Sequence, residues 1–529
     1  MIATNRRHFL LGAGGAAAAL GAPLGAVADL GGARWGEGFE GQRRADLGDG
    51  RFLNPIIAGD HPDPSIIRDG DVYLMTFSSF DAYPGLLIWR STDLVNWRPI
   101  APALTTLIGS VWAPDLVKHE ERYFLYIPAR TPKYRSIYVI HADRIEGPWS
   151  EPVDLQLPDH IDPGHIVGED GRRYLFLSNG DRVLLADDGL STASPVEHVY
   201  DPWRYPEGWD VECFCPEGPK MSRRGDWFYM LTAVGGTAGP PTGHMVIAAR
   251  ARSVHGPWEN APNNPVVRTA SGAEAWWSRG HASLVDGPDG RSYLVYHGYE
   301  NGYWTLGRQC LLDPVEWTDD GWFSAKGGDL SAPLAKPAGA PPTPHGAPLS
   351  DDFSESRLGA QWSFYDPAPG EPARFSVRKK ALHLKAKGET PADSSPLSFI
   401  CGDRSYEVEI EIERETGARA GLLLFYNRRL YCGLGFDDDG FVMHRYGLER
   451  RRSDLGGPTR RVAIRIRNDR HIVTIWTKRE GEGWRKFDVQ MEVSGYHHNV
   501  AYDFLSLRPA IYAAGAGEAR FRRLRYRAL

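Results

Sequence analysis

From Asn54 to about residue 330 the apolar positions come in short runs rich in Val, Ile, Tyr, Phe and Trp, bounded by Gly, Pro and Asp. That is the pattern of strands closed by turns. No helical spacing of apolar residues is sustained there. Five runs repeat one design, a turn leading into an aromatic strand, at residues 69–75, 119–126, 169–177, 223–231 and 288–297. Their anchors Tyr73, Tyr123, Tyr174, Phe228 and Tyr293 fall roughly 50 to 65 residues apart, the spacing of propeller blades. A second repeat supports this reading. Trp97, Trp149 and Trp258 each end a blade-length unit and are expected to wedge between neighbouring blades.

Residues 331–350 are rich in Pro, Ala and Gly and read as a semi-rigid linker. Beyond them, residues 405–413 and 461–467 alternate strictly, while 421–426 and 431–436 look like buried core strands. This predicts a two-sheet sandwich. The fold class is therefore all-β: a five-bladed β-propeller over 51–330, the linker, and a concanavalin-like β-sandwich over 351–529. Residues 29–50 look like a loose lead-in. At the start, Asn5-Arg6-Arg7-His8-Phe9-Leu10-Leu11 resembles a twin-arginine motif, and an Ala/Gly/Leu stretch ends at Ala26-Val27-Ala28. Residues 1–28 thus read as an export signal for a periplasmic or secreted protein, detached from the membrane once the signal is removed. An N-terminal anchor is the alternative.

The formal charge of −6 speaks against a nucleic-acid partner, which wants a basic face. The 17 Trp and 23 Tyr are many, and aromatic-rich β proteins often bind sugars. Cys213 and Cys215 alternate along one strand, a poor geometry for bonding each other. All five cysteines are expected as buried free thiols.

About ten residues before the successive anchors come Asp63, Asp115, Asp162, Glu217 and His281. The first strand of each blade lines a propeller's central channel, so these side chains are expected to converge on one axis. Asp63, in His61-Pro62-Asp63-Pro64, is framed by two prolines, which suits a rigidly held general base. Asp115 ends Val111-Trp112-Ala113-Pro114-Asp115, an apolar setting that demands a partner for a carboxylate. That partner is either a salt-bridging cation or a titrating acid whose pKa Asp115 raises. Glu217 precedes Gly218-Pro219 and is preferred over Glu212 as the acid, the two falling on opposite faces of one strand. His281 is placed to hold a water or a metal ion. Asp162, in His160-Ile161-Asp162-Pro163, either binds substrate or repeats the architecture of Asp63. Paired carboxylates without a Ser/His or Cys/His arrangement point to glycoside hydrolysis.

Together these residues resemble glycoside hydrolase family 43 over about 54–323. The stretches that carry the likeness are NPIIAGDHPDPSIIRDGDVYLM, VWAPDL, EGP and YHGYENGYWTLGRQCLLDPVEWTDDGWF. The resemblance implies an inverting enzyme with Asp63 as base, Asp115 as pKa modulator and orienter, and Glu217 as acid. It also implies Arg308 as a sugar contact, with His281 and Asp162 lining the site. Ca²⁺ near the axis beside His281 is a further implication, and no organic cofactor is expected. The implied substrates are xylo- or arabino-oligosaccharides, with β-D-xylosidase first and α-L-arabinofuranosidase second. A binding-only propeller, or a phosphorylase using Arg308 and Arg279, are the readings from other classes. Residues 237–244 form a Gly/Pro insertion that either narrows the pocket or simply connects strands. The sandwich residue that would close the pocket is not legible.

Overall fold

In the computed structural model, which describes residues 34–341 and 343–529, five antiparallel sheets follow one another along the chain. Their inner strands are Ser65–Asp69, Asp115–His119, Gly164–Val167, Glu217–Arg224 and Trp276–Asp286. Each pairs with the aromatic strand after it, as the turn repeat predicts. The wedge expectation also holds. Trp97 is fully buried in one cluster with Tyr73 of blade 1 and Tyr293 of blade 5. Trp149 packs on the cluster of blades 1 and 2, and Trp258 on that of blades 3 and 4. The export signal lies outside the described residues. Among those described, no helix is long and apolar enough to cross a membrane.

The ring closes on the segment just before blade 1. Ile56 N donates to Cys310 O at 2.9 Å, His61 N donates to Arg308 O at 2.8 Å, and the Asn54 side chain brackets Leu312 with two bonds of 2.9 Å. This segment hydrogen-bonds beside blade 5 strand Arg308–Trp317 and so brings Asp63 against Arg308.

The sandwich has two main sheets. In one, Ala418–Phe425 and Arg508–Gly515 lie at the centre. The other is built on Ser405–Arg414, whose alternating burial matches its alternating sequence. The first sheet takes its last strand, Ala82–Tyr83, from the propeller, paired with Ser363–Tyr365. Across the same junction Arg508 Nη2 donates to Asp60 Oδ2 at 2.9 Å, both groups buried.

Two expectations are corrected here. The lead-in is not loose where it is described. Arg43 pairs with Glu300 of blade 5 at 2.9 Å, and its Nε donates to Gly402 O of the sandwich at 2.8 Å. Its guanidinium also lies 4.6 Å over the Trp35 ring. Residues 37–52 therefore work as a buckle between the domains. The linker, in turn, is strapped down. Leu334–Ala335 pairs with Arg51–Phe52, and His345 Nδ1 accepts from Trp97 N at 3.2 Å.

Candidate active site

Asp63, Asp162 and His281 all sit just ahead of the regular inner-strand pairing with left-handed backbone, φ +57°, +55° and +62°. This conformation is uncommon for non-glycine residues and often marks function. Here it turns three polar side chains inward at one level. Glu217 joins them at the start of its own strand. The next residue, Gly218, has φ +63°, and a Cβ there would lie 2.6 Å from His281 Nε2, so only glycine fits.

Asp63 is fully enclosed. Its Oδ1 accepts from Arg308 Nη1 at 2.9 Å, Ser78 Oγ donates to Oδ2, and its backbone N–H donates to His297 Nδ1 at 3.0 Å. Burial pushes the carboxyl up, but Arg308, with the His281 and His297 imidazoles, overrides it and holds the group well below the usual carboxylate range. Glu217 is the opposite case. Burial raises it first, the negative charges of Asp162 and Asp63 raise it further, and Arg308 only partly opposes them. Its carboxyl therefore keeps a proton well above the usual range. Two carboxylates pushed apart in this way define a base and an acid.

His281 Nε2 lies 3.1 Å from Asp162 Oδ2. The His297 ring stacks on His244 at 5.3 Å, nearly parallel, and His281 follows at 5.9 Å. Burial lowers His297 to about 4 and His244 well below its usual value, so both are neutral near pH 7.

Asp115 does not join this group, contrary to the sequence expectation. Lys118 pairs with Tyr123 in blade 2 just as Arg68 pairs with Tyr73 in blade 1. In that register Asp115 matches Ser65, and the position matching Asp63 is Ala113. Two residues along a strand are about 7 Å. Asp115 instead helps line an axial cavity of about 430 Å³ bounded by inner-strand residues of all five blades. Its partner is a cation, Lys220, at 2.8 Å. The carboxylate whose charge weighs most on Glu217 is Asp162. Glu212 is not on the strand of Glu217. It is exposed, and its Oε2 accepts from Ala238 N at 2.8 Å.

The 237–244 loop is tied to the sandwich. Gly239 N donates to Asn499 Oδ1 at 2.9 Å, and Asn499 Nδ2 donates to Gly239 O at 3.2 Å. Phe504, also from the sandwich, completes an aromatic wall. It stacks on Phe80 at 5.7 Å, meets Trp112 edge-on at 6.4 Å, and lies 5.3 Å from the Arg308 guanidinium. Phe77 is core, packed with Tyr73 and Trp97. Ser78, His297 and Phe504 were missed by the sequence reading. Only His297 carried a signal, in the YHGYENG stretch.

Cys213 and Cys215 form a disulfide, contrary to the expectation of free thiols. They lie before the strand, not on it, and left-handed backbone at Cys215 lets the two sulfurs meet with Cα atoms 5.4 Å apart. Cys310, Cys401 and Cys432 are buried and free. Arg279 is held by Glu274 at 2.9 Å and by Gly328 O at 2.7 Å, which removes it as a phosphate ligand. His281 Nδ1 is buried without a hydrogen-bond partner, but among the described residues no three His, Cys, Asp or Glu side chains converge as ligands. Calcium takes six to eight oxygens.

Residues 52–323 match glycosyl hydrolases family 43, and residues 350–527 match the β-xylosidase C-terminal concanavalin A-like domain. A xylan 1,3-β-xylosidase of a Vibrio species is 29% identical over 71% of this chain and 77% of its own. A non-reducing end α-L-arabinofuranosidase of Bacteroides ovatus is 33% identical over 64% of this chain and 65% of its own. The crystal structure of xylan β-1,4-xylosidase from Bacillus halodurans is similar with a TM-score of 0.79 at 27% identity, covering 90% of this chain and 99% of that one. With its propeller matched over residues 52–323 and its second domain matched as well, the chain belongs to glycosyl hydrolases family 43 and is a glycosidase.

Proposed function

We propose that the protein is an inverting exo-glycosidase that removes single pentose units from plant polysaccharide fragments, with β-D-xylosides the preferred substrates. The carrying observation is the arrangement of two carboxyls with opposite surroundings: Asp63 held by Arg308 at 2.9 Å, which lowers it, and Glu217 raised by burial and by the charges of Asp162 and Asp63. Glu217 gives its proton to the leaving glycosidic oxygen. Asp63 takes a proton from water as that water attacks the anomeric carbon from the opposite face. The glycosidic bond breaks, Glu217 is left ionised and Asp63 protonated, and exchange with solvent resets both.

Asp162 takes the modulator role that the sequence suggested for Asp115, because its charge keeps the acid protonated. Arg308 grips Asp63 and faces the pocket wall of Phe80 and Phe504, placing a guanidinium fork where sugar hydroxyls bind. The sandwich contacts of the 237–244 loop and the wall formed by Phe504 with Phe80 and Trp112 support exo action, because both bring the second domain against the site.

Side-by-side hydrolysis of p-nitrophenyl β-D-xyloside and p-nitrophenyl α-L-arabinofuranoside by residues 29–529 tests the reading. Faster release from the xyloside, with α-xylose as the first anomer seen by NMR, supports it. Faster release from the arabinofuranoside moves the assignment to the second sugar, and β-xylose as first product removes inversion. An EDTA arm, with Ca²⁺ added back, tests whether a cation contributes.

A further inference from the structure

Asp115 has no part in the reaction just described, yet it is among the most connected side chains near the axis. Its Oδ1 accepts from Lys220 Nζ at 2.8 Å and from Ser65 Oγ at 3.2 Å, and its Oδ2 accepts from His165 N at 2.8 Å. Lys220 Nζ also donates to Pro114 O at 2.7 Å and to Pro163 O at 3.5 Å. The residues so joined have one thing in common. Ser65 is two residues after Asp63, Pro163 directly follows Asp162 with His165 two residues further on, and Lys220 is three residues after Glu217. The inner strands of four blades are thus tied together one layer beneath the three reacting or modulating carboxyls. Blade 4 needs the tie most, because its pairing slips register between Glu217 and Lys220. Glu217 pairs with Ala233 on one side of the slip and Lys220 with Leu231 on the other, so the ladder does not run unbroken from Lys220 to Glu217.

We infer that the buried Asp115–Lys220 pair is a positioning device that sets Asp162 and Glu217 at their working separation. The inference rests on the roles assigned to Asp63, Asp162 and Glu217 above. Both members are almost fully buried, so the pair is shielded from salt, and each keeps further hydrogen bonds that fix its direction. A displacement on the scale of an ångström in a catalytic group lowers rate by up to about a hundredfold.

The test is Lys220→Met and Asp115→Asn in the full chain, with near-UV circular dichroism to establish folding, alongside Asp162→Asn. The charged groups acting on Glu217 are Asp162, Asp63, Arg308 and Glu212. Removing the Lys220 cation would by direct electrostatics move the descending limb of the pH–rate profile up. Loss of position relative to Asp162 moves it down. The expected result for Lys220→Met is a kcat lower by about tenfold or more, KM within about twofold, and the descending limb at lower pH. A folded Lys220→Met with wild-type kcat and profile overturns the inference. If Lys220→Met does not fold, the near-isosteric Asp115→Asn decides: kcat lower by about tenfold at the pH optimum with KM within about twofold supports the inference, and wild-type kcat overturns it. An Asp162→Asn enzyme with wild-type kcat and profile sinks instead the modulator role on which the inference stands.

Discussion

Glu217 carries opposing demands of function and stability. Its carboxyl is raised in the folded protein, by burial first and then by Asp162 and Asp63. The folded state therefore holds a proton that the unfolded state releases at lower pH. Stability from this group is complete below its unfolded pKa and is lost as pH rises through its folded pKa. Glu217→Gln, which mimics the protonated form, is expected to lose hydrolysis of p-nitrophenyl β-D-xyloside by at least about a thousandfold. Thermal melts should show it more stable than wild type above the folded pKa, with the gap closing in acid. A gap that widens in acid would reverse the sign and remove Glu217 as the protonated acid. Asp162→Asn removes the largest charge acting on Glu217, so the descending limb of kcat should move to lower pH. Spacing along the chain does not separate Asp162 from Asp115: Asp63 is ten residues before its anchor, Asp115 eight and Asp162 twelve. Side-chain chemistry does not separate them either, since Trp-Ala-Pro-Asp reads as an acid-site motif as readily as a structural one.

At the scale of elements, the inner strands were legible because turn and aromatic repeat coincide in every blade. Their left-handed entry was not. No residue type at Asp63, Asp162 or His281 demands positive φ, and only packing around the axis enforces it. Gly218 is the exception, where φ +63° and contact with His281 together exclude a side chain. Gly218→Ala is expected to displace His281 or Glu217 and lower kcat by about a hundredfold, read by the same assay. The 237–244 loop was legible as an insertion but not as a latch, because its partner Asn499 lies in the other domain. Asn499→Ala should raise KM several-fold while changing kcat less. Unchanged KM would show that the loop's propeller contacts, to Glu212, Asp210 and Ser278, hold it without Asn499.

Over the whole molecule, the site belongs to both domains. Phe504 supplies a wall, and the Arg508–Asp60 pair locks the sandwich onto the segment that carries Asp63. Asp60 also accepts from Arg308 N at 3.3 Å, so the same carboxylate touches the strand that carries Arg308. Arg508→Met leaves a buried carboxylate without its cation. A loss of about 3–5 kcal/mol is expected, measured by urea unfolding, with lower kcat/KM in the folded fraction. Phe504→Ala should lower kcat/KM and also cost some stability, since the half-buried ring packs against the sandwich core and stacks on His498 at 4.3 Å.

The sequence by itself determined the blades and the sandwich and singled out Asp63 and Glu217 as candidate chemistry, because each rests on local pattern: period-two alternation, turn residues, a carboxyl framed by Gly or Pro; Arg308 entered only through the family resemblance. Tertiary structure decided the rest. Which of Asp115 and Asp162 stands beside Glu217 depends on how separate strands are levelled around one axis, and a two-residue slip moves a carboxylate from the reacting layer to the layer below. The disulfide at Cys213 depends on a backbone turn, the buckle at Arg43 on a distant Glu300, and the closing wall on a phenylalanine about 440 residues from the base. Long-range contacts of this kind leave no periodic trace in the chain, because a side chain's partner across a domain junction places no constraint on its own neighbours in sequence.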